Sequence, residues 1–208
     1  MLGLALLVII VFFAVFAGVF ADYEEDCVFQ NMSERLLFYS KGHLLGTDQY
    51  GRDLFARIIF GARISVAMCV STVLISMILG SILGAVAAYF GGVVDSVIMR
   101  IADVFLAIPQ MLMAVTIVSA LGSSIFNLGV ALTISMVAPF SRIVRSAVLQ
   151  VKGMEYIEAA KAYGSKDVRI IFLHILPNAV GPIIVQATLN MANSLLSISG
   201  LGFIGLGI

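Results

Sequence analysis

The sequence predicts an all-α protein that crosses a membrane several times. Hydrophobic residues make up 61% of the 208 residues, mean hydropathy is +1.11 and only 12% of residues are charged. Soluble domains carry about 25% charged residues, so this much apolar surface requires lipid as a solvent. A spanning helix needs about 20 mostly apolar residues. Five runs meet that length and predict five spans, at about 1–21, 64–90, 99–121, 126–146 and 178–200.

The first run, 1–21, has two interpretations, a secretory signal peptide or a first transmembrane helix. It lacks a basic region before the apolar stretch, and that stretch is longer than the roughly 7–15 residues of a signal-peptide core. Both features favour a transmembrane helix.

The segment 22–63 is polar and separates the first two spans. Its end, 50–63, alternates arginines with Leu54, Phe55, Ile58, Ile59 and Phe60 in a helical rhythm. Such a helix either lies along the membrane interface or extends the second span, and the sequence supports the two interpretations equally.

The second, third and fourth spans carry helix-packing signals. Gly80, Gly84 and Ala88 recur at fourfold spacing, which predicts a stripe where another helix approaches closely. Pro109 and Pro139 interrupt the third and fourth spans, and neighbouring helices can satisfy the carbonyls that prolines free in a membrane. Shaping a transport pathway and simple packing explain these prolines equally well.

The segment 147–177 between the fourth and fifth spans is predicted to be cytoplasmic. Residues 142–169 carry six basic side chains against three acidic ones, Glu155, Glu158 and Asp167. Lys and Arg concentrate in cytoplasmic loops close to span ends. Counting spans backwards then places the N-terminus inside and 22–63 outside.

Within this segment the sequence predicts a short helix, a glycine turn and a second helix. Residues 155–162 are mostly good helix formers, and Gly164 suits the left-handed position after a helix. Ser165 can cap the second helix with Asp167 in its first turn, and Pro177 is predicted to end the segment. A helix that docks into a partner and an ordinary connector are both open interpretations.

The last stretch, 178–208, contains no charged residue and is longer than one span requires. Its end from Gly200 onward is rich in glycine, which predicts an irregular turn after the span.

Several functional classes lack support in this sequence. Equal numbers of basic and acidic residues argue against a nucleic-acid partner. Cys27 and Cys69 lie in a polar segment and a span, so no disulfide is expected, and no catalytic motif, cofactor fingerprint or metal-ligand cluster occurs. Asp103 is an intramembrane acid and is predicted to pair with Arg100, one turn earlier. Two alternatives stay open, an ion-coupled transporter that uses Asp103 and a membrane scaffold that transports nothing.

Several motifs then occur in order along the chain. Glu158-Ala159-Ala160, Gly164 and His174-Ile175-Leu176-Pro177-Asn178 resemble the EAA loop of the membrane subunits of ATP-binding cassette (ABC) importers. That loop often has Ile where this chain has His174, and the histidine is typical of the peptide-importer branch. Further stretches resemble the C-type subunits of dipeptide, oligopeptide and nickel permeases, namely Gly46-Thr47-Asp48 with Gly51-Arg52-Asp53, Ala88-Tyr89-Phe90-Gly91-Gly92, Asp103 to Pro109, and Gly202 to Gly207.

The resemblance implies a type I ABC importer permease fold, with a MetI-like transmembrane domain over 64–208 and the coupling loop at 147–177. It implies residence in the inner membrane of a prokaryote, with a second permease, two cytoplasmic ATPases and an extracytoplasmic solute-binding protein as partners. ATP hydrolysis is then expected on the partners, and peptides, nickel or glutathione as solutes. The ATPase-coupling residues carried over are Glu158, Ala159, Ala160, Gly164 and Pro177. The family has a sixth span, which is expected to be missing here.

Overall fold

The computed structural model describes residues 2–205, and regular structure in this range is helical. No β-strand occurs among these residues, and an isolated bridge joins Thr47 to Asp53. The predicted all-α fold is therefore confirmed. The chain divides into two compact units, Met1–Met68 and Cys69–Ile208.

The first unit begins with two short apolar helices. Helix α1 covers Leu2–Val15 and α2 covers Ala17–Phe20, with the non-helical Phe16 between them. The predicted first span 1–21 is therefore two helices in succession, and Met1 lies outside the described residues. The ring centroids of Phe13 and Phe55 lie 5.8 Å apart, which packs α1 against the beginning of the next long helix.

The polar segment of the first unit is organised around two buried aspartates. Asp48 accepts the backbone N–H of Tyr50 at 2.8 Å and also receives Arg52 Nε at 2.8 Å and Arg57 Nη1 at 2.6 Å. Burial by itself would raise the pKa of Asp48, but the hydrogen bonds from Arg52 and Tyr50 outweigh it and lower the pKa to about 2. Asp53 accepts the N–H of Ala56 at 2.8 Å and so caps the helix that follows.

His43 makes this segment sensitive to pH. Its Nδ1 lies 2.7 Å from Asp53 Oδ2 and its Nε2 lies 3.6 Å from Glu34 Oε2. The hydrogen bond to Asp53 raises the pKa of His43, and burial offsets only part of that effect. Because the pKa of His43 is higher in the folded state, protonated His43 stabilises the fold fully at pH values below its unfolded pKa of about 6.5. That stabilisation is lost as the pH rises through the folded-state pKa.

We therefore expect His43→Gln to destabilise the protein by about 1 kcal/mol at pH 6 and by much less at pH 9. The measurement is the melting temperature of both proteins in detergent across that range. Exposed Lys41→Gln serves as the control and should leave the pH profile unchanged. A difference in melting temperature between wild type and His43→Gln that does not change with pH would contradict the role given to His43.

Helix α3, Leu54–Phe90, runs for 37 residues without a break. It begins ten residues before the predicted second span at 64, so residues 54–63 extend that span as a single helix. At 1.5 Å per residue it is about 55 Å long, well beyond the roughly 30 Å of a hydrocarbon core.

The predicted third span, 99–121, is broken in two. Helix α4 covers Gly92–Ala107 and α5 covers Gln110–Leu121, with an angle of 87° between them. Pro109 has no N–H to continue the ladder and forces Ile108 into extended geometry, with φ −95° and ψ 125°. The predicted interruption at Pro109 is therefore confirmed, and the helix that precedes it begins at Gly92 rather than at 99.

Helix α6, Ile125–Lys152, is the most buried helix of the second unit and is longer than the predicted 126–146. Pro139 lies inside it without ending it. The predicted stripe on α3 packs against it. A Cβ on Gly80 would lie 3.0 Å from the carbonyl oxygen of Val137, and one on Gly84 would lie 2.9 Å from the backbone nitrogen of Arg145. The close approach predicted from Gly80, Gly84 and Ala88 is confirmed.

The helical path at the end of the chain is longer than predicted. Helical conformation runs from Asp167 to Phe203, first as α8 (Asp167–Arg169) and last as α9 (Val180–Phe203). A π-helical stretch, Ile170–Ile175, and a 3-10 stretch, Leu176–Ala179, connect them. Pro177, which is predicted to end the segment before the last span, lies within this helical path. The irregular turn predicted from Gly200 begins only at Ile204, because the helix continues to Phe203. The first glycine beyond α9 with positive φ is Gly205, and the motif positions Leu206 and Gly207 lie outside the described residues.

Residues 2–205 hold three helical stretches long and apolar enough to cross a bilayer, Leu54–Phe90, Ile125–Lys152 and Asp167–Phe203. The bent pair α4 and α5 makes four if it counts as one span. Large apolar side chains such as Ile184, Val185 and Leu196 lie exposed on α9, as expected of a surface that faces lipid.

Candidate functional site

The candidate site is the EAA segment, residues 153–179, between α6 and α9. Helix α7, Glu155–Ala162, opens it after Met154, whose extended backbone ends the preceding turn. Glu155 and Glu158 lie in its first turn and Lys161 in its last. This charge order complements the helix macrodipole and supports a helix of only eight residues.

Helix α7 ends in a Schellman turn at Gly164. The N–H of Gly164 donates to the carbonyl of Lys161 at 2.9 Å, and that of Ser165 donates to the carbonyl of Ala160 at 3.1 Å. Gly164 has φ +76°, which glycine adopts at little cost. The predicted left-handed glycine after the helix is therefore confirmed. The cap of the second helix is Lys166 rather than the predicted Ser165.

An apolar base holds the EAA segment against the spanning helices. Ile157 of α7 is fully buried and packs in one cluster with Ile170, Ile171 and Ile175. Residues of α3 and α6 complete that cluster, among them Ala85, Ala88, Val144 and Val148. The half-buried Ala160 packs against the same cluster, so it needs a small side chain for reasons internal to the chain.

The opposite face of α7 is exposed. Glu155, Glu158, Ala159 and Ala162 all point away from the base formed by Ile157. A helix of 3.6 residues per turn places Ala159 almost opposite Ile157. The face that a partner can reach therefore holds Ala159 and Ala162, with acidic side chains along one border and the exposed Tyr156 and Tyr163 along the other.

The structure separates the five predicted coupling residues into groups. Glu158 and Ala159 are exposed on α7, Ala160 lies on its inner side, and Gly164 forms the turn that ends the helix. Pro177 is exposed but lies in the 3-10 stretch beyond the π helix, on a different element. The compact part of the predicted site is thus the stretch from Glu158 to Gly164.

Tyr89, at the end of α3, contacts three parts of the loop region. Its hydroxyl donates to Asp167 Oδ1 at 2.5 Å, and Lys161 Nζ lies 5.1 Å from its ring centroid. Lys152 Nζ donates to the backbone carbonyls of Ala88 at 3.0 Å and Tyr89 at 2.7 Å. The sequence interpretation gave Tyr89 no such role. The one sequence feature that could have pointed to this role is the position of Tyr89 at the end of the span, just before Gly91-Gly92.

Two ion pairs join α4 to α6. Arg145 Nε and Nη2 bind the two oxygens of Asp95 at 2.5 and 2.6 Å, and Arg142 pairs with Asp103. The predicted Arg100–Asp103 pair was wrong, because within residues 2–205 Asp103 forms its ion pair with Arg142. Asp103 therefore has a cationic partner on a neighbouring helix rather than one turn earlier on its own helix.

The remaining interior of the second unit offers little for chemistry. A cavity of about 230 Å³ between α3, α4 and α6 is apolar and is lined by residues such as Leu83, Ile101, Phe105 and Val137. Asn190 on α9 is buried and accepts a hydrogen bond from Gln186 Nε2 at 3.2 Å. The part of the chain that the structure describes contains no group of three side chains suited to a metal ion.

Comparison with known proteins relates this arrangement to a transport family. The family model described as "Binding-protein-dependent transport system inner membrane component" matches residues 76–208. The dipeptide transport system permease protein DppC of Alkalihalophilus pseudofirmus is 44% identical over 207 residues, which cover 99% of this chain and 67% of that protein. The oligopeptide transport system permease protein OppC of Bacillus subtilis is 37% identical over 208 residues, covering 100% of this chain and 68% of that protein. The glutathione transport system permease protein GsiD of Pectobacterium atrosepticum is 42% identical over 168 residues, which cover 81% of this chain and 56% of that protein.

Proposed function

The chain belongs to the binding-protein-dependent transport system inner membrane components, and from this premise we propose that it moves peptides or a related small solute as a permease subunit of an ABC importer. It is a multi-pass inner membrane protein of a family of transport permeases, not of enzymes. In this proposal the energy for transport comes from ATP hydrolysis on separate partner subunits.

The observation that carries this proposal is the two-sided character of α7. Its inner side is anchored by the fully buried Ile157, while its outer side presents Ala159 with acidic residues on one side and exposed tyrosines on the other. A slim helix with a small-residue face fits a groove in a partner protein. We assign the coupling contact to Glu158 and Ala159, with Ala160 and Gly164 shaping the helix and its end, and Pro177 shaping the return to α9.

The partners and orientation follow from this assignment. The EAA segment faces the cytoplasm, where two ATPases bind, and the N-terminus lies on the same side. The polar segment 22–63 faces outward, towards a solute-binding protein. A homologous second permease completes the pathway, and residues 64–208 form the transport domain. Peptides are the favoured solute class because dipeptide and oligopeptide permeases are among the relatives.

The test is co-purification of the tagged chain with its ATPase subunits, followed by solute flux in proteoliposomes. We expect Ala159→Trp and Glu158→Lys to reduce both ATPase capture and flux at least about tenfold, which corresponds to about 1.4 kcal/mol of binding free energy. The indole would be too large for a groove that accepts a slim helix, and the lysine in place of Glu158 would reverse the charge at the border of the contact.

Ala120→Trp is the matched control, because Ala120 is an exposed alanine at the end of α5, outside the EAA segment. It should bind the ATPase as wild type does. Ala160→Trp should instead lower the yield of folded protein, since Ala160 packs against the buried cluster. If Ala159→Trp and Glu158→Lys both retain full ATPase capture and flux, the coupling assignment fails.

A further inference from the structure

Tyr89 is the point where the long helix α3 meets the EAA segment through directional contacts. The residue is buried with 7% of its surface exposed, and its hydroxyl donates to Asp167 at 2.5 Å. Asp167 is the first residue of α8. A hydrogen bond to a carboxylate is among the stronger polar contacts in proteins and constrains both partners in distance and angle.

The same ring is contacted from two other helices. Lys161 Nζ, in the last turn of α7, lies 5.1 Å from the ring centroid, and Lys152 Nζ, in the last turn of α6, lies 5.9 Å from it. Cations at these distances are attracted to the face of an aromatic ring. Lys152 also donates to two of the last carbonyls of α3, so the ring and the helix end are held together.

These contacts differ in kind from the apolar base beneath them. The isoleucines that pack α7 and the π stretch against α3 and α6 make non-directional contacts. The hydroxyl of Tyr89 instead specifies one relative position of α3 and α8. Helical conformation then continues from Asp167 to Phe203, so the constraint reaches the beginning of a stretch that crosses the membrane.

We propose that Tyr89 is the positioning residue that transmits displacement of the EAA segment to the end of α3. The inference rests on the proposed function, because it assumes that a partner ATPase moves α7. With the Tyr89–Asp167 bond intact, α3 follows α7 and α8 as one body. Without it, the segment still binds the ATPase through Ala159 but slides on its apolar base, and ATP hydrolysis is no longer matched by solute movement.

The experiment compares wild type, Tyr89→Phe, Asp167→Ala and the double variant in proteoliposomes with the partner permease, ATPases and binding protein. Three quantities are measured, namely ATPase capture, ATP hydrolysis and solute flux. We expect unchanged capture and about tenfold fewer solute molecules moved per ATP in each single variant. The double variant should be no worse than either single one, because all three lack the same bond.

Tyr39→Phe is the matched control, since it also removes a phenolic hydroxyl, here from an exposed tyrosine of the polar segment. It should keep the wild-type ratio of flux to hydrolysis. Wild-type ratios in Tyr89→Phe and Asp167→Ala, or additive losses in the double variant, would overturn the inference while leaving the proposed function intact. A wild-type chain that fails to capture any ATPase would instead overturn the proposed function, and this inference with it.

Discussion

Replacing Gly84 by alanine is expected to destabilise the protein by about 2–3 kcal/mol, a large effect for a single methyl group. The added Cβ would lie 2.9 Å from both the backbone nitrogen of Arg145 and Cβ of Val144, and closer still to the carbonyl oxygen of Ser141. Two of these three atoms belong to the backbone of α6, so no side-chain rotation relieves the clash. The two helices would have to separate along much of their contact.

The measurement is the melting temperature and the yield of monodisperse protein in detergent. Gly181→Ala is the matched control, because Gly181 lies early in α9 and an added Cβ would meet no atom within 4 Å. That change should be neutral or stabilise the protein by up to about 1 kcal/mol, since alanine favours a helix over glycine. Equal melting temperatures for Gly84→Ala and wild type would refute the close helix contact.

Asp95→Ala is expected to have the other large effect, a loss of about 2–3 kcal/mol. The carboxylate binds Arg145 through two hydrogen bonds, and both side chains are partly buried between α4 and α6, with exposures of 21% for Asp95 and 32% for Arg145. Removing the acid leaves a guanidinium that cannot lose its charge in a helix bundle that excludes much of the water. Broken charge pairs of this kind cost far more than the net value of the pair.

The decisive comparison is between Asp95→Ala and the double variant Asp95→Ala/Arg145→Ala. The double variant should recover most of the lost stability, because no unpaired charge is left behind. Glu25→Ala, which removes an exposed acid, should change the melting temperature little. If the melting temperature of the double variant falls by the sum of the decreases in the two single variants, Asp95 and Arg145 act independently.

The features that the sequence predicted well depend on spacing over a few residues. The close approach at Gly80 and Gly84 follows from fourfold spacing along one helix, and the turn at Gly164 follows from the unique backbone freedom of glycine. The exposed face of α7 could also be predicted, since good helix formers surround the single large apolar residue Ile157. Each of these signals is complete within about two helical turns.

The features that the sequence could not predict involve partners far apart in the chain. Asp103 was matched with Arg100 because Arg100 is near in sequence, whereas its partner Arg142 is 39 residues away. Tyr89 and Asp167 are 78 residues apart, and no local pattern connects them. The bend at Pro109 was recognised as an interruption, but its angle of 87° depends on how α4 and α5 pack on other helices.

The change in helical winding between Ile170 and Ala179 affects which side chains of α9 face the neighbouring helices. A π turn holds more residues than an α turn and a 3-10 turn holds fewer, so together they set the rotation at which α9 begins. If the winding there shifted by one residue, every side chain of α9 would turn by about 100°. Gln186 and Asn190 would then exchange places with aliphatic side chains, while all hydrogen bonds within α9 stayed in place. The winding of the ten residues before α9 thus determines which neighbours its polar side chains face.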